Sequence, residues 1–255
     1  MYAEERQQAI AELVGRRGRV SVVDLAQRFD VTTETVRRDL SALERLRLLR
    51  RVHGGAVPVD TLTMVETGLK DRDAANTEQK DRIAARAVDL LPASGATVLV
   101  DAGSTTARLV DRLPRELELT VVTHAVPLAA RLASYPQVDL HLLPGRVRRT
   151  TQAAVGIETV QALSALRVDI AFMGTNGISL GHGLSTPDRD EAATKRAMVE
   201  SAQQVVVLAD ATKIGLERTV RFAELDEVDV LVTDDEITAA DRKAFESAGL
   251  EVVVA

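Results

Sequence analysis

Thr32-Thr33-Glu34-Thr35-Val36-Arg37-Arg38-Asp39-Leu40-Ser41-Ala42-Leu43-Glu44-Arg45-Leu46 is the stretch that decides how the N-terminal part of the chain folds. Thr32 is a residue type that caps a helix, because its hydroxyl accepts from a backbone N–H one turn further on. At roughly 100° per residue, Val36, Leu40, Leu43 and Leu46 share one side, which burial of apolar surface assigns to a core. The far side carries Glu34, Arg38, Ser41 and Arg45, with Arg37 at its margin. Guanidinium forks and a small hydroxyl on the outer face of a short helix suit the major groove of DNA, where Arg meets guanine edges and phosphates. A merely solvated basic helix would show the same pattern, so the flanking sequence has to decide between them.

Upstream, Ile10, Leu13 and Val14 give an apolar stripe to a helix from about Glu4 to Gly15, and a Gly15–Gly18 break follows. Ser21, with Asp24 three residues on, opens a second helix whose Leu25 and Phe29 face inward, and Asp30-Val31 forms the turn. Downstream, Leu48-Leu49-Arg50-Arg51-Val52-His53-Gly54-Gly55-Ala56 has the form of a strand, a Gly-Gly turn and a return, a wing bearing basic residues. Residues 1–57 are therefore predicted to form a winged helix-turn-helix. Thr33, Thr35, Arg37, Arg38, Ser41 and Arg45 should meet the groove, with Arg50, Arg51 and His53 on or beside the wing. Charge agrees with this. The chain carries −6 overall, yet residues 1–57 hold 11 Arg, no Lys and 8 acidic residues, a balance of +3. A basic head on an acidic body suits phosphate attraction, which acts within about a Debye length.

Residues 58–75, with Pro58, Asp60 and Gly68 and little periodicity, are expected to be a linker. From 76 to 255 the pattern changes. Asn76 and Gln79 form a plausible capping box for a helix ending near Leu91-Pro92. Beyond it, apolar β-branched runs at Thr97–Asp101, Leu119–Thr123, Val138–Leu143, Val168–Met173, Val205–Ala209, Val228–Val232 and Glu251–Val254 alternate with helical patterns such as Thr105–Leu113, Val126–Ala133 and Glu191–Ala202. Such alternation predicts an α/β domain with a mainly parallel sheet covered on both faces. Aromatic residues are 2% of the chain, so this core has to be aliphatic, and stacking platforms for single-stranded nucleic acid are excluded. Without Cys there is no disulfide framework and no thiol chemistry. No apolar run approaches the roughly 20 residues that cross a bilayer, and the start of the chain is polar, so a cytoplasmic protein without membrane contact is expected.

In open α/β sheets ligands sit at the carboxyl ends of strands. Those ends carry Asp101-Ala102-Gly103-Ser104-Thr105-Thr106, Thr123-His124, Pro144-Gly145-Arg146, Gly174-Thr175-Asn176-Gly177 and Asp210-Ala211-Thr212-Lys213, with Lys195-Arg196 between the last two. Hydroxyls, backbone amides and cations around one crevice suit a phosphorylated polyol. The candidate effector residues are Asp101, Gly103, Ser104, Thr105, Thr106, Thr123, His124, Gly145, Arg146, Lys195 and Lys213. Ser104 to Thr106 would hold phosphate, and Arg146, Lys195 and Lys213 would supply charge. His53, His124, His141 and His182 show no paired metal-ligand spacing, so no metal site is expected; nucleotide-binding and nucleophile-elbow motifs are absent, and no cofactor is expected.

Thr33-Glu34-Thr35-Val36-Arg37-Arg38-Asp39-Leu40, then Leu43-Glu44, then Arg51-Val52-His53-Gly54-Gly55-Ala56, resembles the signature of DeoR-type bacterial repressors. Arg47-Leu48-Leu49 departs from it where the family often has a Gly before the strand. Residues 76–236 are similar to the sensor domain of these regulators, which implies a fold like that of ribose-5-phosphate isomerase and the CoA transferases. Gly103-Ser104-Thr105 matches the isomerases' phosphate loop, and Ala209-Asp210-Ala211-Thr212-Lys213 resembles their late Ala-Asp-(Glu)-Ser-Lys. Their proton-shuttling carboxylates have no counterpart: Met173-Gly174-Thr175-Asn176-Gly177 and Thr194-Lys195 stand at the matching places, and a thioether, an amide and a hydroxyl cannot replace carboxylate bases.

The resemblance implies a repressor of a sugar uptake or catabolism operon, not an enzyme. It would bind double-stranded operator DNA as a homo-oligomer, dimer or tetramer, and respond to a phosphorylated sugar, with fructose 1-phosphate as the first candidate. Two alternatives stand beside it: an active sugar-phosphate isomerase or CoA transferase-like enzyme with an appended DNA-binding head, and a head that binds protein instead of DNA.

Overall fold

The computed structural model of the chain describes residues 2–18, 20–46, 48–52, 54–58 and 68–255. His53 and residues 59–67, half of the expected linker, lie outside these residues. The head consists of α1 (Ala3–Arg17), β1 (Val20–Ser21), α2 (Val22–Phe29), α3 (Thr33–Arg45), β2 (Arg50–Val52) and β3 (Gly55–Val57). The capping chemistry is as expected. Ser21 accepts from the Asp24 amide, and Thr32 accepts from the Thr35 amide. Ile10, Val14, Leu25, Val36, Leu40 and Leu43 close a small core, and the wing adds a three-stranded antiparallel sheet in the order β1-β3-β2. Gly55 is required there, since a Cβ would stand 2.0 Å from the Val20 carbonyl oxygen.

Leu46 corrects the expected seam. The helix stops at Arg45, the Leu48 amide turns back to the Leu43 carbonyl, and Leu46 is left 64% exposed. Leu49, at 1%, takes the core position instead. A regular 3.6-residue period cannot anticipate a helix end one residue early.

Part of the expected linker is helical: α4 (Leu69–Ala74) docks on the large domain, its first amide donating to the Thr150 carbonyl at 3.0 Å. Next comes α5 (Thr77–Ala87), followed by a short 3₁₀ turn to Leu90. Asn76 is not its side-chain cap. It sits at φ 51°, and its amide reaches Asp210 Oδ1 at 3.2 Å, while Gln79 reaches Glu236.

The large domain then runs β4 (Thr97–Val100), α6 (Ser104–Val110), β5 (Leu119–Thr123), α7 (Val126–Leu132), β6 (Val138–Leu142), a ribbon of β7 (Arg146–Val147) and β8 (Ala154–Val155), α8 (Ile157–Ser164) and β9 (Val168–Met173). It continues through β10 (Gly177–Ser179), β11 (Gly183–Thr186), α9 (Arg189–Ser201), β12 (Ala202–Leu208), β13 (Val220–Ala223), β14 (Val230–Thr233), α10 (Ala239–Ser247) and β15 (Glu251–Val254). The seven runs read as strands form one seven-stranded sheet, order β15-β14-β12-β9-β4-β5-β6, with every pairing parallel. Alternate residues serve opposite faces: Val98, Val100, Ile170 and Phe172 pack under α5, α6 and α7, while Leu99, Ala171 and Met173 pack under α8, α9 and α10. Burial on both faces explains why these strands read as continuous apolar runs.

A second sheet, order β10-β11-β13, has no counterpart among the expected strands. Its strands are short, and β10 and β11 are rich in Gly and Ser, so neither β-branched enrichment nor alternation marks those two, while β13, Val220-Arg221-Phe222-Ala223, is only four residues long. From β4 the chain winds outward to β6 on one side and through β9 to β15 on the other. The switch point therefore lies between β4 and β9.

Candidate functional site

Two sites emerge. On the head, Thr33, Arg37, Arg38 and Arg45 are exposed along α3, and Arg38 has no polar partner among the described residues. Arg37 lies 3.5 Å from Glu34 on the same surface. Thr35 is half-buried, and its hydroxyl meets that of Thr32 at 2.9 Å, part of the cap. Ser41 donates to the Arg37 carbonyl at 2.8 Å and accepts from Arg51 Nη1 at 2.7 Å. The Arg51 amide meets Glu44 Oε1 at 2.9 Å, so wing and α3 are tied into one surface.

Sequence reasoning missed Asp39. It is buried, and it accepts Arg6 Nε at 2.6 Å, Arg6 Nη2 at 3.3 Å and Gln7 Nε2 at 2.9 Å. The acid inside the basic stretch is thus neutralised internally and fastens α1 to α3, so it does not oppose a phosphate backbone. Arg50, expected on the wing, turns the other way: Nη1 stands 3.1 Å from Glu217 Oε2 and Nη2 3.5 Å from the Gly215 carbonyl, both in the large domain.

The second site is a cavity of about 160 Å³ at the switch point, bounded by the carboxyl ends of β4, β9 and β12. Gly103, Ser104, Thr105 and Thr106 line one wall, and Lys195 and Lys213 approach from the other side. Ser104 and Thr105 have no side-chain hydrogen bond among the described residues and are available to a ligand. Thr106 is not: its hydroxyl donates to the Asp101 carbonyl at 2.7 Å and closes the loop.

Asp101 lies beneath the floor, fully buried. Its carboxylate accepts the Lys195 ammonium and the Gly174 amide, and stands 3.0 Å from His124 Nε2. Burial alone would raise its pKa, but Lys195 and His124 outweigh it and hold the carboxyl well below the usual carboxylate range. Lys195 also donates to the Gly174 carbonyl and lies 5.4 Å from the centre of the Phe222 ring. Asp101 and Lys195 thus bridge β4, α9 and the turn after β9, fixing the cavity floor. Thr123 and His124 are buried supports: Thr123 donates to the Val100 carbonyl, and His124 Nδ1 stands 2.8 Å from the Ala154 carbonyl oxygen.

Gly145 and Arg146 lie outside the cavity wall. Gly145 sits at φ 136° against Thr159, and Arg146 is exposed and paired with Asp190 at 2.6 Å.

Several lining residues fall outside the expected set, and Arg72, Lys80 and Glu191 among them bear on what could bind. Arg72, on α4, lines the wall with Nε and Nη2 buried and without a hydrogen-bond partner. Lys80, on α5, is buried and donates to the Arg72 and Ala75 carbonyls. Burial pushes its pKa down to about 8, with Asp210 opposing the shift and Lys213 reinforcing it. Glu191 lines the wall too, but pairs with Arg148. A signal for Lys80 existed: Lys80, Ile83, Ala84 and Ala87 share the buried stripe of α5, and a lysine in an apolar stripe asks for an explanation. No local pattern marks Arg72, because its helix lies in a stretch without periodicity.

Two family models match the chain: the DeoR-like helix-turn-helix domain over residues 6–61 and the DeoR C terminal sensor domain over residues 75–235. Among curated relatives, the HTH-type transcriptional regulator GlpR of Haloferax volcanii is 38% identical over 253 residues, 99% of this chain and 98% of that protein. The glycerol-3-phosphate regulon repressor of Escherichia coli is 32% identical over 92% of each chain. The HTH-type transcriptional repressor GlcR of Bacillus subtilis is 31% identical over 100% of this chain and 97% of that one. Among solved structures, a probable sor operon regulator from Shigella flexneri matches 67% of this chain and 90% of that chain at 13% identity, TM-score 0.46. Ribose 5-phosphate isomerase from Methanocaldococcus jannaschii matches 55% of each chain at 20% identity, TM-score 0.41. No helix among the described residues is long and apolar enough to cross a membrane.

Proposed function

The chain belongs to the DeoR family of transcriptional regulators, and we propose that a phosphorylated sugar in the cavity sets how tightly α3 and the wing hold operator DNA. Its curated relatives are regulators and repressors along the whole length, so the chain is a sugar-operon regulator and not an isomerase with an added head. The chemistry of the cavity agrees. A general base works best with a pKa near the operating pH, whereas Asp101 is buried and held far below that, and Glu191 is committed to Arg148.

The observation that carries the effector proposal is Arg72. Buried guanidinium donors without acceptors cost on the order of 1–3 kcal/mol, more for charged groups, and an anion in the cavity would supply acceptors. Lys80 and Lys213 add charge nearby, and the Ser104 and Thr105 hydroxyls add neutral hydrogen bonds. A phosphate with a polyol tail meets all of these groups. Fructose 1-phosphate is the first compound to test. Glycerol 3-phosphate comes next, because relatives from Escherichia coli and Shigella flexneri are named glycerol-3-phosphate regulon repressors.

Thermal denaturation across a panel of sugar phosphates tests this, since a ligand at 100 times its dissociation constant adds about 2.7 kcal/mol. The active compound should lose its effect in Lys213→Ala, and inorganic phosphate alone should be weaker. If no sugar phosphate shifts the melting temperature, the effector assignment falls. On DNA, Arg38→Ala should relax sequence preference by about 1–3 kcal/mol at one base position; unchanged affinity and preference would remove α3 from the groove. Such heads read two half-sites as symmetric pairs, so a homo-oligomer is proposed, to be checked by sedimentation.

A further inference from the structure

The cavity and the wing share one loop. Asp210 and Lys213 line the cavity, and two and four residues beyond Lys213 the same loop presents the Gly215 carbonyl and the Glu217 carboxylate to Arg50 of β2. The loop is firmly placed. The Gly215 amide donates to the Ile178 carbonyl at 2.7 Å, and Glu217 Oε1 accepts from Ser179 Oγ at 2.9 Å, leaving Oε2 for Arg50. On the other side, Arg51 is bound to Ser41 and Glu44 of α3. The backbone of the 210–217 loop, the Arg50–Glu217 pair, the adjoining residue Arg51 and its contacts to Ser41 and Glu44 therefore link the cavity wall to the DNA-facing helix.

We infer that Glu217 is an internal competitor of DNA phosphate for Arg50, and that the Asp210–Glu217 loop transmits cavity occupancy to the wing through this contact. A carboxylate and a phosphate oxygen present similar acceptors to a guanidinium, so Arg50 cannot serve both at once. While Arg50 holds Glu217, the wing is one cation short and the head is tethered to the large domain. A ligand that draws Lys213 inward fixes the loop in the position that offers Glu217 to Arg50, and duplex binding weakens. The ligand half of this inference rests on the effector assignment above; the competition between Glu217 and DNA does not.

A double-mutant cycle on the full chain separates the two. Binding to a generic DNA duplex is measured against salt concentration without any sugar phosphate, because phosphate contacts are independent of sequence. Glu217→Gln, which keeps the Ser179 contact, should tighten binding about two- to fivefold, the range expected for a half-exposed ion pair. The gain should vanish in an Arg50→Ala background, and Arg50→Ala alone should lower the salt slope by about 0.9. An equal gain in both backgrounds would reduce Glu217 to general charge repulsion and overturn the inference, as would no gain in a variant that melts like the parent.

The second arm adds fructose 1-phosphate and, separately, glycerol 3-phosphate. A compound that weakens duplex binding of the parent chain should weaken that of Glu217→Gln less. Equal weakening in both would refute transmission through this loop. If neither compound shifts melting or binding of the parent chain, the effector assignment fails, and the competition arm still stands or falls on its own numbers.

Discussion

Replacing Asp39 by Asn keeps the shape of the side chain and removes its charge, leaving Arg6 buried without a counter-ion. The Arg6 and Asp39 side chains are 10% and 5% exposed, joined through Nε at 2.6 Å and Nη2 at 3.3 Å. Breaking one partner of such a buried pair costs about 3–5 kcal/mol, because the remaining charge is neither solvated nor paired. A head of this size holds only about 3–9 kcal/mol in total at the usual stability per residue, so the change removes a large share of it. The large domain should be unaffected, since among the described residues the polar partners of this pair all lie in the head. Amide hydrogen exchange read peptide by peptide distinguishes the two. Protection in α1 and α3 should fall by a hundredfold or more, the exchange equivalent of 3 kcal/mol, while β4, β9 and β12 keep theirs. Replacing both partners by apolar residues, Arg6→Met with Asp39→Leu, should recover most of the loss, because no buried charge remains. If the single substitution leaves protection in α1 and α3 within fivefold of the parent, or if the double variant loses as much as the single, Asp39 does not fasten the head.

Two further outcomes follow from geometry and charge. Leu40→Ala should cost about 2–5 kcal/mol and Leu46→Ala less than about 0.5, since one is buried in the seam and the other exposed beyond the helix end; equal costs in urea unfolding would restore Leu46 to the core. Because burial holds the folded-state pKa of Lys80 near 8, below its value in an unfolded chain, its charged form opposes folding at lower pH, and that penalty is relieved as pH rises through about 8 toward 10.5. A bound phosphate favours the charged form instead. Effector affinity should therefore be flat between the second phosphate pKa, about 6, and about pH 8, then fall, with proton uptake visible by calorimetry in buffers of different ionisation heat. Lys80→Met should abolish the uptake, and an affinity that stays level through about pH 9 would take Lys80 out of the site.

The legible parts of the fold were those set by local chemistry. Ser21 and Thr32 cap their helices because a hydroxyl and an amide one turn apart are enough, whatever the tertiary context. The inner strands of the large sheet could be read because a parallel strand buried on both faces must be apolar, whereas the edge strand β6, with Asp139 and His141 exposed, is apolar only at alternate positions. Features that depend on two distant segments were hidden. The Asp39 carboxylate is structural only because Arg6, far away in sequence, folds against it. The hydroxyl of Thr106 is spent on the Asp101 carbonyl, though nothing in Gly103-Ser104-Thr105-Thr106 distinguishes it from its neighbours. Asp101, Lys195 and the Gly103–Thr106 turn lie close together in the fold, but composition could not tell wall from floor: Asp101 and His124 fall below the cavity, their hydrogen bonds taken by Lys195, by each other, by the Gly174 amide and by the Ala154 carbonyl.

A single half-exposed ion pair is a weak switch. Arg50 and Glu217 retain 36% and 29% side-chain exposure, which limits their pair to roughly 0.2–1 kcal/mol, at the low edge of the 1–3 kcal/mol typical of coupling between sites. Symmetry enlarges it. If two heads engage two half-sites together, both bridges break on binding and their free energies add, so a fivefold effect per head becomes about 25-fold for the pair. The ratio of duplex affinities between Glu217→Gln and the parent should then rise as the square when the duplex carries two half-sites instead of one. A ratio that stays the same on both duplexes would mean that the heads act singly, and that a contact of this size cannot account for the response to a ligand.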